Sequence, residues 1–216
     1  MILRAWLTLL LIAGLCVLTP QHGQAKPIVA DLDNYRISID SDFVGDDLLL
    51  FGARNDPGDI VFVIRGPERD VTVRKKDRKL GIWMNTQQIT FKNVPYFYAV
   101  SATRPLDTMM ADRLYELLNI GLQNIEMKTP RPEKPDTELE FRKAFADSLI
   151  NESLYQNFQS ELRFMGGATL FKTLVRFPDN LPRGNYTAEI YLVEDGLLRA
   201  VQTLPIEVTK VGFDAF

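Results

Sequence analysis

The sequence predicts a mainly β fold, specifically an immunoglobulin-like β-sandwich with an inserted helical hairpin. Strand-like segments follow one another at intervals of about 8 to 12 residues from Lys26 to Thr103, a spacing typical of a sandwich. A helical period occupies residues 106–157, and strand-like segments return after it. Two small β domains joined by helices are the alternative interpretation of this order.

The first 25 residues (1–25) have the features of a secretory signal peptide. Arg4 precedes an apolar run from Ala5 to Leu18, and Gly23 and Ala25 supply small residues at a cleavage site. The run is shorter than the roughly 20 residues that a membrane-spanning helix needs, which disfavours an uncleaved anchor. We therefore predict a cleaved signal peptide followed by a single periplasmic domain over residues 26–216.

Four strand-like segments lie in the first third of that domain. Two of them alternate polar and apolar residues, and the other two are short, nearly continuous apolar runs. The connectors contain Gly, Pro, Asn and Asp, which favour turns. In chain order the segments are YRISID (Tyr35–Asp40), DLLLFGA (Asp47–Ala53), DIVFVIRG (Asp59–Gly66) and RDVTVRKK (Arg69–Lys76).

Two helices are predicted in the insertion. The first, Leu106 to Met127, repeats apolar residues at helical spacing. A connector with three prolines, Lys128 to Asp136, follows it and is expected to be exposed. The second helix begins with a capping box at Thr137 to Glu140 and runs to about Asn157. Its predicted apolar face consists of Phe141, Phe145, Leu149 and Ile150.

Three strands are predicted in the last third: ATLFKTLVRFP, GNYTAEIYLVEDG and LLRAVQTLPIEVTK. The second strand follows a turn that contains Pro182 and Gly184, and Tyr186 stands near its start. This pattern is typical of the tyrosine corner of a β-sandwich. It predicts that the ring of Tyr186 is buried and that its hydroxyl bonds to nearby backbone.

Residues 26–216 contain neither cysteine nor histidine, because Cys16 and His22 both lie in the predicted signal peptide. Ser-His-Asp and Cys-His catalysis need an imidazole base, and zinc, copper and haem sites draw mainly on thiolate or imidazole ligands. The sequence excludes those chemistries for the trimmed chain alone, so we expect a non-enzymatic protein without a cofactor or metal. Carboxylate-based or Ser-Lys hydrolysis is the remaining enzymatic option. An exported chain without disulfides argues against an extracellular disulfide scaffold and suggests the bacterial periplasm.

The segment GIWMNTQQITFKNVPYFYAV (Gly81–Val100) is a candidate ligand-binding surface. In a strand Trp83 and Asn85 share one face, and beyond a break at Asn93 the side chains of Tyr96 and Tyr98 share another. These four residues would form an aromatic and amide surface of the kind that binds sugars or peptides. The alternative interpretation is core and sheet packing, since aromatic residues favour strands.

A basic cluster precedes this segment and consists of Arg74, Lys75, Lys76, Arg78 and Lys79. A solvated hairpin tip explains it most simply, and contact with anionic headgroups or a partner's acidic loop is the alternative. The chain as a whole is acidic: loss of Arg4 leaves 24 Lys and Arg against 28 Asp and Glu, a net charge of −4. We therefore expect no nucleic-acid binding.

Aspartates cluster in the early turns, at Asp40, Asp42, Asp46 and Asp47 and at Asp56 and Asp59. A Ca²⁺ site needs about six to eight converging oxygens, and this series has no closing Glu at the spacing of an EF-hand. Turn and cap roles are the prediction for these side chains.

Several phrases of the sequence are shared with a known group of proteins. They are LLLFGA (Leu48–Ala53), RGP (Arg65–Pro67), GIWMNT (Gly81–Thr86), VPYFYAVSATRPL (Val94–Leu106), LPRGNYTAEIYLVEDG (Leu181–Gly196) and KVGF (Lys210–Phe213). Together they resemble the uncharacterised alphaproteobacterial "putative transmembrane protein" family over nearly all of residues 26–216. The resemblance implies an exported domain on the outer side of the inner membrane, held by one C-terminal helix, with no assigned activity. The sequence stops at Phe216, where that helix would follow, so we expect the native gene to continue into an apolar segment of about 20 residues.

We therefore expect a periplasmic interaction or accessory domain that supports an inner-membrane transporter or envelope complex, with an integral membrane protein as its partner. A periplasmic ligand-binding domain that uses the surface around Trp83 is the alternative. Exposure of Trp83 in a groove would favour ligand binding, and burial of Trp83 would favour the accessory role.

Overall fold

The computed structural model describes residues 26–79, 81–131, 134–159 and 161–211, so the predicted signal peptide lies outside the described residues. The predicted mainly β class is confirmed. The strands are β1 (Ile28–Leu32), β2 (Arg36–Ile39), β3 (Asp46–Arg54), β4 (Asp59–Arg65), β5 (Glu68–Lys79), β6 (Ile82–Pro95), β7 (Tyr98–Ala102), β8 (Tyr155–Gln159), β9 (Arg163–Met165), β10 (Leu170–Phe177), β11 (Gly184–Glu194) and β12 (Leu197–Lys210). The α-helices are α1 (Asp112–Leu118) and α2 (Pro135–Asn151).

Four antiparallel strands form sheet A, in the order β1-β3-β10-β9. Side chains alternate between its two faces, so that Leu48 and Leu50 of β3 and Phe171 and Val175 of β10 are buried on the inner face. Gly52 lies among them, and a Cβ atom there would come within 2.5 Å of the Phe171 ring. The glycine in this strand therefore makes room for the aromatic side chain.

Six strands form sheet B, in the order β2-β12-β11-β4-β7-β8. The pairs β2–β12 and β7–β8 are parallel and the other pairs are antiparallel. Every side chain from Ile60 to Ile64 in β4 is buried, so the centre of sheet B is covered on both faces. Sheet A covers one face, and the helical insertion between β7 and β8 covers the other.

Side chains from the two sheets meet in the core. The hydroxyls of Ser101 in β7 and Thr173 in β10 lie 3.0 Å apart. Phe97, Phe177 and Tyr186 form an aromatic cluster with ring centres 5.1 to 6.0 Å apart. The Tyr186 hydroxyl donates to the carbonyl of Pro182 at 2.5 Å, and its ring is buried, as the corner prediction requires.

A side-chain amide joins sheet B to the edge strand β1. Gln202 in β12 accepts a hydrogen bond from the N–H of Ala30 at 2.8 Å and donates one to the carbonyl of Ala30 at 2.7 Å. These bonds satisfy two backbone groups that the edge of sheet A would otherwise leave unpaired. Strands of the first and last thirds also pair directly, β3 with β10 and β4 with β11, so both thirds share one core.

The helical insertion differs from the prediction in its first half. The expected helix from Leu106 to Met127 is divided into a 3₁₀ turn at Leu106–Thr108, α1, and a second 3₁₀ turn at Leu122–Asn124. Asn119 at φ 51° and Gly121 at φ 97° end α1 in the left-handed region. Ile120, between these two residues, is completely buried.

The second predicted helix is present but its boundaries differ. Lys134 is the N-cap and Pro135 the first helical residue of α2, so Thr137 lies inside the helix and the predicted capping box is wrong. Phe141, Phe145 and Leu149 are buried as predicted, whereas Ile150 is exposed. The chain leaves the helix after Asn151 because it forms β8, which pairs with β7.

Among the described residues, no helix is long and apolar enough to cross a membrane.

Candidate interaction site

Strands β5 and β6 form a hairpin arm (Glu68–Pro95) that is separate from sheets A and B. The two strands pair with each other in a two-stranded sheet. At about 3.3 Å per residue, the 14 residues of β6 span roughly 45 Å. Gly81 in the two-residue connection has φ 84°, a conformation that favours glycine. A long, narrow element of this kind presents its far end away from the rest of the chain.

The near half of the arm is part of the hydrophobic core. Ile89 and Phe91 of β6 are 4% and 0% exposed, and Val73 and Val71 lie directly opposite them in β5. Because paired residues in an antiparallel ladder share a face, these four side chains form one apolar stripe. This stripe fixes the near half of the arm in the core.

Helix α2 attaches to the arm through two charged side chains. Arg142 lies over the ring of Phe91, 5.9 Å from its centre, and donates to the carbonyl of Met127 at 2.6 Å. Farther out, the ammonium of Lys75 lies 2.7 Å from a carboxylate oxygen of Glu140. The contacts between α2 and the arm thus reach outward as far as Lys75.

The far half ends in three exposed apolar side chains, which we call the apolar tip: Ile82, Trp83 and Met84. They are 67%, 67% and 52% exposed. Trp83 is paired with Arg78, and Met84 with Asp77. Since successive residues of a strand alternate, Trp83 and Arg78 share one face, whereas Ile82 and Met84 lie on the other. The tip is therefore apolar on both faces of the hairpin.

A bulge separates the near half of the arm from the tip. The register shifts between Lys75 and Lys76, and Thr86 is the extra residue on the opposite strand. The Thr86 hydroxyl donates to the carboxylate of Asp77 at 2.7 Å. Bulges increase local twist and change the direction of the side chains beyond them, so this one orients the tip.

The structure does not bring together the four residues of the predicted aromatic and amide surface. Trp83 and Asn85 lie in the far half of the arm, whereas Tyr96 follows its near end, roughly 40 Å away along β6. The Arg69 guanidinium lies 5.1 Å from the centre of the Tyr96 ring. The break expected at Asn93 is a local irregularity inside β6, where Asp70 accepts a hydrogen bond from the Asn93 N–H.

Tyr98 is a core residue, which corrects its prediction as a binding residue. It is fully buried in β7, and its hydroxyl accepts a hydrogen bond from the N–H of Gly121 at 2.8 Å. Burial raises the pKa of Tyr98 to about 12, although Arg65 and the Gly121 N–H oppose the shift. The hydroxyl therefore stays protonated and holds the helical insertion against sheet B.

The predicted basic cluster lies in the far half of the arm, as the hairpin-tip interpretation requires. Lys76 is exposed and paired with Asn85, and Arg78 donates to the carbonyl of Gly81 at 3.2 Å. Lys75 is engaged with Glu140, which raises the pKa of this lysine. Arg74 lies opposite Gln88, and the backbone of Lys79 opposite Ile82. Lys76 and Arg78 thus place positive charge beside the apolar tip.

Arg65, beside the near end of the arm, was not identified from the sequence. It donates to the carbonyls of Leu118 and Asn119 at 2.8 and 3.0 Å and forms an ion pair with Glu189. It also lines a cavity of about 180 Å³ beside the near end of the arm. Because its donors are occupied by the C-terminal end of α1, we interpret Arg65 as a structural residue. Only the tertiary fold places these partners together.

Asp40 and Asp46 have the predicted turn roles, whereas Asp59 forms an ion pair that was not predicted. Asp40 accepts a hydrogen bond from the Asp42 N–H at 3.1 Å, and Asp46 accepts one from the Asp47 N–H at 2.9 Å. Asp59 accepts hydrogen bonds from Thr103 and Arg104. Within the described ranges, no group of three or more His, Cys, Asp or Glu residues is arranged to hold a metal ion.

Comparison with known proteins gives one family. A family model described as "Putative transmembrane protein (Alph_Pro_TM)" matches residues 27–216. No curated protein and no solved structure matches the chain.

Proposed function

The chain belongs to the Alph_Pro_TM family, and we propose that it is a non-enzymatic periplasmic accessory domain whose hairpin arm contacts an integral membrane protein. Export by the predicted signal peptide and attachment to the inner membrane of an alphaproteobacterium are parts of this proposal. The observation that carries it is the exposed apolar tip on an arm whose other end is fixed in the core.

The energetics of the tip favour a contact that removes it from water. Burial of apolar surface contributes about 25 cal/mol per Å², and Ile82, Trp83 and Met84 have most of their surface available for it. Trp and Arg are also the residues most enriched at the energetic centres of protein interfaces. Because the near half of the arm is already ordered by the core, binding loses less conformational entropy there than a disordered loop would.

The charges around the tip indicate the kind of partner surface. Lys76 and Arg78 share a face with Trp83, and Asp77 on the other face is engaged with Thr86. A partner with an apolar pocket bordered by acidic residues would complement this face. Charge complementarity of this kind increases the association rate and selects among partners.

The alternative function, ligand binding around Trp83, has less support. Trp83 is exposed, contrary to the burial expected for an accessory domain, but it lies on a two-stranded arm. Tyr98 is in the core, and Tyr96 lies at the other end of β6. A single tryptophan on a two-stranded arm does not enclose a small ligand, whereas ligand pockets bury most of the ligand's surface.

Replacement of the tip tests the proposal. The variant Ile82→Ser/Trp83→Ser/Met84→Ser should remain folded. Native membranes are solubilised in detergent and separated on native gels, and the variant should be absent from the high-mass complexes that contain the native chain. The matched control is Leu117→Ser, a side chain of α1 that is 75% exposed and not part of the arm. This variant should not change complex size. Complexes that keep their size with the triple variant would contradict the proposal. If the native chain migrates on these gels only with anionic lipid and with no other protein, the proposed protein partner is contradicted.

A further inference from the structure

The outer face of sheet A carries apolar side chains in register across all four strands. Val29, Ala53, Leu170 and Met165 form one row, from β1 through β3 and β10 to β9. Leu49 and Leu174 form a second row on the same face, four residues along β3 from Ala53. Val29, Leu170 and Leu174 are each about half exposed. Phe51, 43% exposed, lies in the row between the two apolar rows and connects them. Exposed apolar surface of this kind is a candidate interface.

The composition of β3 also indicates that another surface packs against the outer face of sheet A. Its run from Leu48 to Ala53 is apolar at every position, whereas a strand with one solvated face normally alternates. Leu48 and Leu50 supply the inner face, and Leu49 and Phe51 supply the outer one. The sequence is therefore that of a strand buried on both faces, although the described residues cover only one of them.

Charges on the outer face are divided between its two halves. Asp31 and Asp47 project from β1 and β3, whereas Lys172 and Arg176 project from β10 and Arg163 from β9. Asp31 and Arg163 stand at the two ends of one row, in which Phe51 and Lys172 lie between them. Asp47 and Arg176 already form an ion pair with each other at 3.0 Å, so the remaining charge of this face is acidic at β1, from Asp31, and basic at β10 and β9, from Lys172 and Arg163.

We propose that the outer face of sheet A packs against the same face of a second copy, about a two-fold axis that runs parallel to the strands between β3 and β10. This axis superimposes each row on the same row of the other copy, reversed end to end. Asp31 then faces Arg163 of the other copy, and Phe51 faces Lys172. An axis perpendicular to the strands would instead place Asp31 over Asp31, so charge selects the first arrangement.

The size of the face corresponds to a weak dimer. Its strands β1, β3, β10 and β9 contain 5, 9, 8 and 3 residues, and a strand spacing of about 4.8 Å with a rise of about 3.3 Å per residue gives roughly 400 Å² per copy. The total of roughly 800 Å² is in the range of weak and transient interfaces. A dissociation constant of roughly tens of micromolar is therefore expected. Two aligned sheets at the usual spacing of about 10 Å would form the interface.

Charge reversal tests the arrangement through three samples of the purified full chain. Asp31→Arg places like charges over Arg163 of the other copy, and Arg163→Asp places like charges over Asp31. Each variant alone should dimerise about tenfold more weakly than the native chain. An equimolar mixture should recover native affinity, because a heterodimer restores both contacts. The two residues lie three strand spacings apart in one chain, about 14 Å, so no contact within a chain explains such a recovery.

Sedimentation velocity up to about 100 μM, a range that includes micromolar affinities, gives the readout. Tyr35→Phe removes the hydrogen bond to Asp31 without reversing a charge and is the matched control, which should dimerise like the native chain. Leu174→Asp in the centre of the face should abolish the dimer. A monomeric native chain at the highest concentration would overturn the proposal. A native dimer that both single variants retain, or a mixture that fails to recover, would also overturn it.

Discussion

Tyr186 links the start of β11 to the turn before it through a single buried hydroxyl. Tyr186→Phe keeps the ring in its cluster with Phe97 and Phe177 but removes the bond to the Pro182 carbonyl. We expect the free energy of unfolding to fall by about 1 kcal/mol, the net contribution of a typical hydrogen bond. Urea unfolding at neutral pH measures this change. An unchanged midpoint would show that the hydroxyl contributes nothing to the corner.

Alkaline pH should destabilise the fold through its buried tyrosines. Burial raises the pKa of Tyr98 to about 12 and also raises those of Tyr155 and Tyr186. The folded state therefore holds these protons more tightly than the unfolded state, in which tyrosine titrates near pH 10. The stabilisation is complete below pH 10 and is lost between about pH 10 and 12, by roughly 2 to 3 kcal/mol for Tyr98.

The free energy of unfolding, measured in urea from pH 8 to 12, checks this expectation. Tyr98→Phe has no proton to lose at that position, so its stability should fall less steeply above pH 10. An equally steep fall in that variant would contradict the role assigned to Tyr98.

The environment of Tyr186 was predictable from the sequence, whereas that of Tyr98 was not. Tyr186 was predicted correctly because its partner is four residues away and the turn between them has a recognisable pattern. Tyr98 was assigned to a surface because alternation within a strand does not say which face is covered. Its cover is the segment at Asn119 and Gly121, which is brought over the strand only by the tertiary fold.

At the scale of elements, the two halves of the hairpin arm should respond differently to mutation. Phe91→Ala removes a fully buried ring and should cost about 3 to 5 kcal/mol of stability. Trp83→Ala removes a side chain that is 67% exposed and should change stability by less than about 0.5 kcal/mol. Thermal or urea unfolding of the two variants measures the contrast. A large loss of stability with Trp83→Ala would mean that the tip is structural.

In the helical insertion, apolar periodicity alone did not predict where the first helix ends. Apolar residues at helical spacing from Leu106 onward predicted one helix, but Asn119 and Gly121 adopt left-handed conformations that end α1. Both residue types were visible in the sequence, and they are the ones that favour such helix ends. The loss of helical hydrogen bonds is offset by burial of Ile120, Ile125 and Met127 against the core.

At the scale of the whole molecule, the order of strands, insertion and strands was predictable, but the role of the arm was not. The segments β5 and β6 were recognised as strands and their basic residues as a hairpin tip. Their pairing outside both sheets was not predicted, because alternation looks the same in a sheet and in an isolated hairpin. The outer face of sheet A was missed for a related reason: an apolar run such as Leu48 to Ala53 does not reveal which neighbour covers it.

Site-specific crosslinking in the native host tests the central claim most directly. A photoreactive amino acid in place of Trp83 would report what lies against the apolar tip, and the same amino acid in place of Leu117 is the matched exposed control. We expect a discrete adduct with one integral membrane protein from position 83 and none from position 117. Equal labelling from both positions, or no protein adduct from position 83, would contradict the assignment of the arm as the contact element.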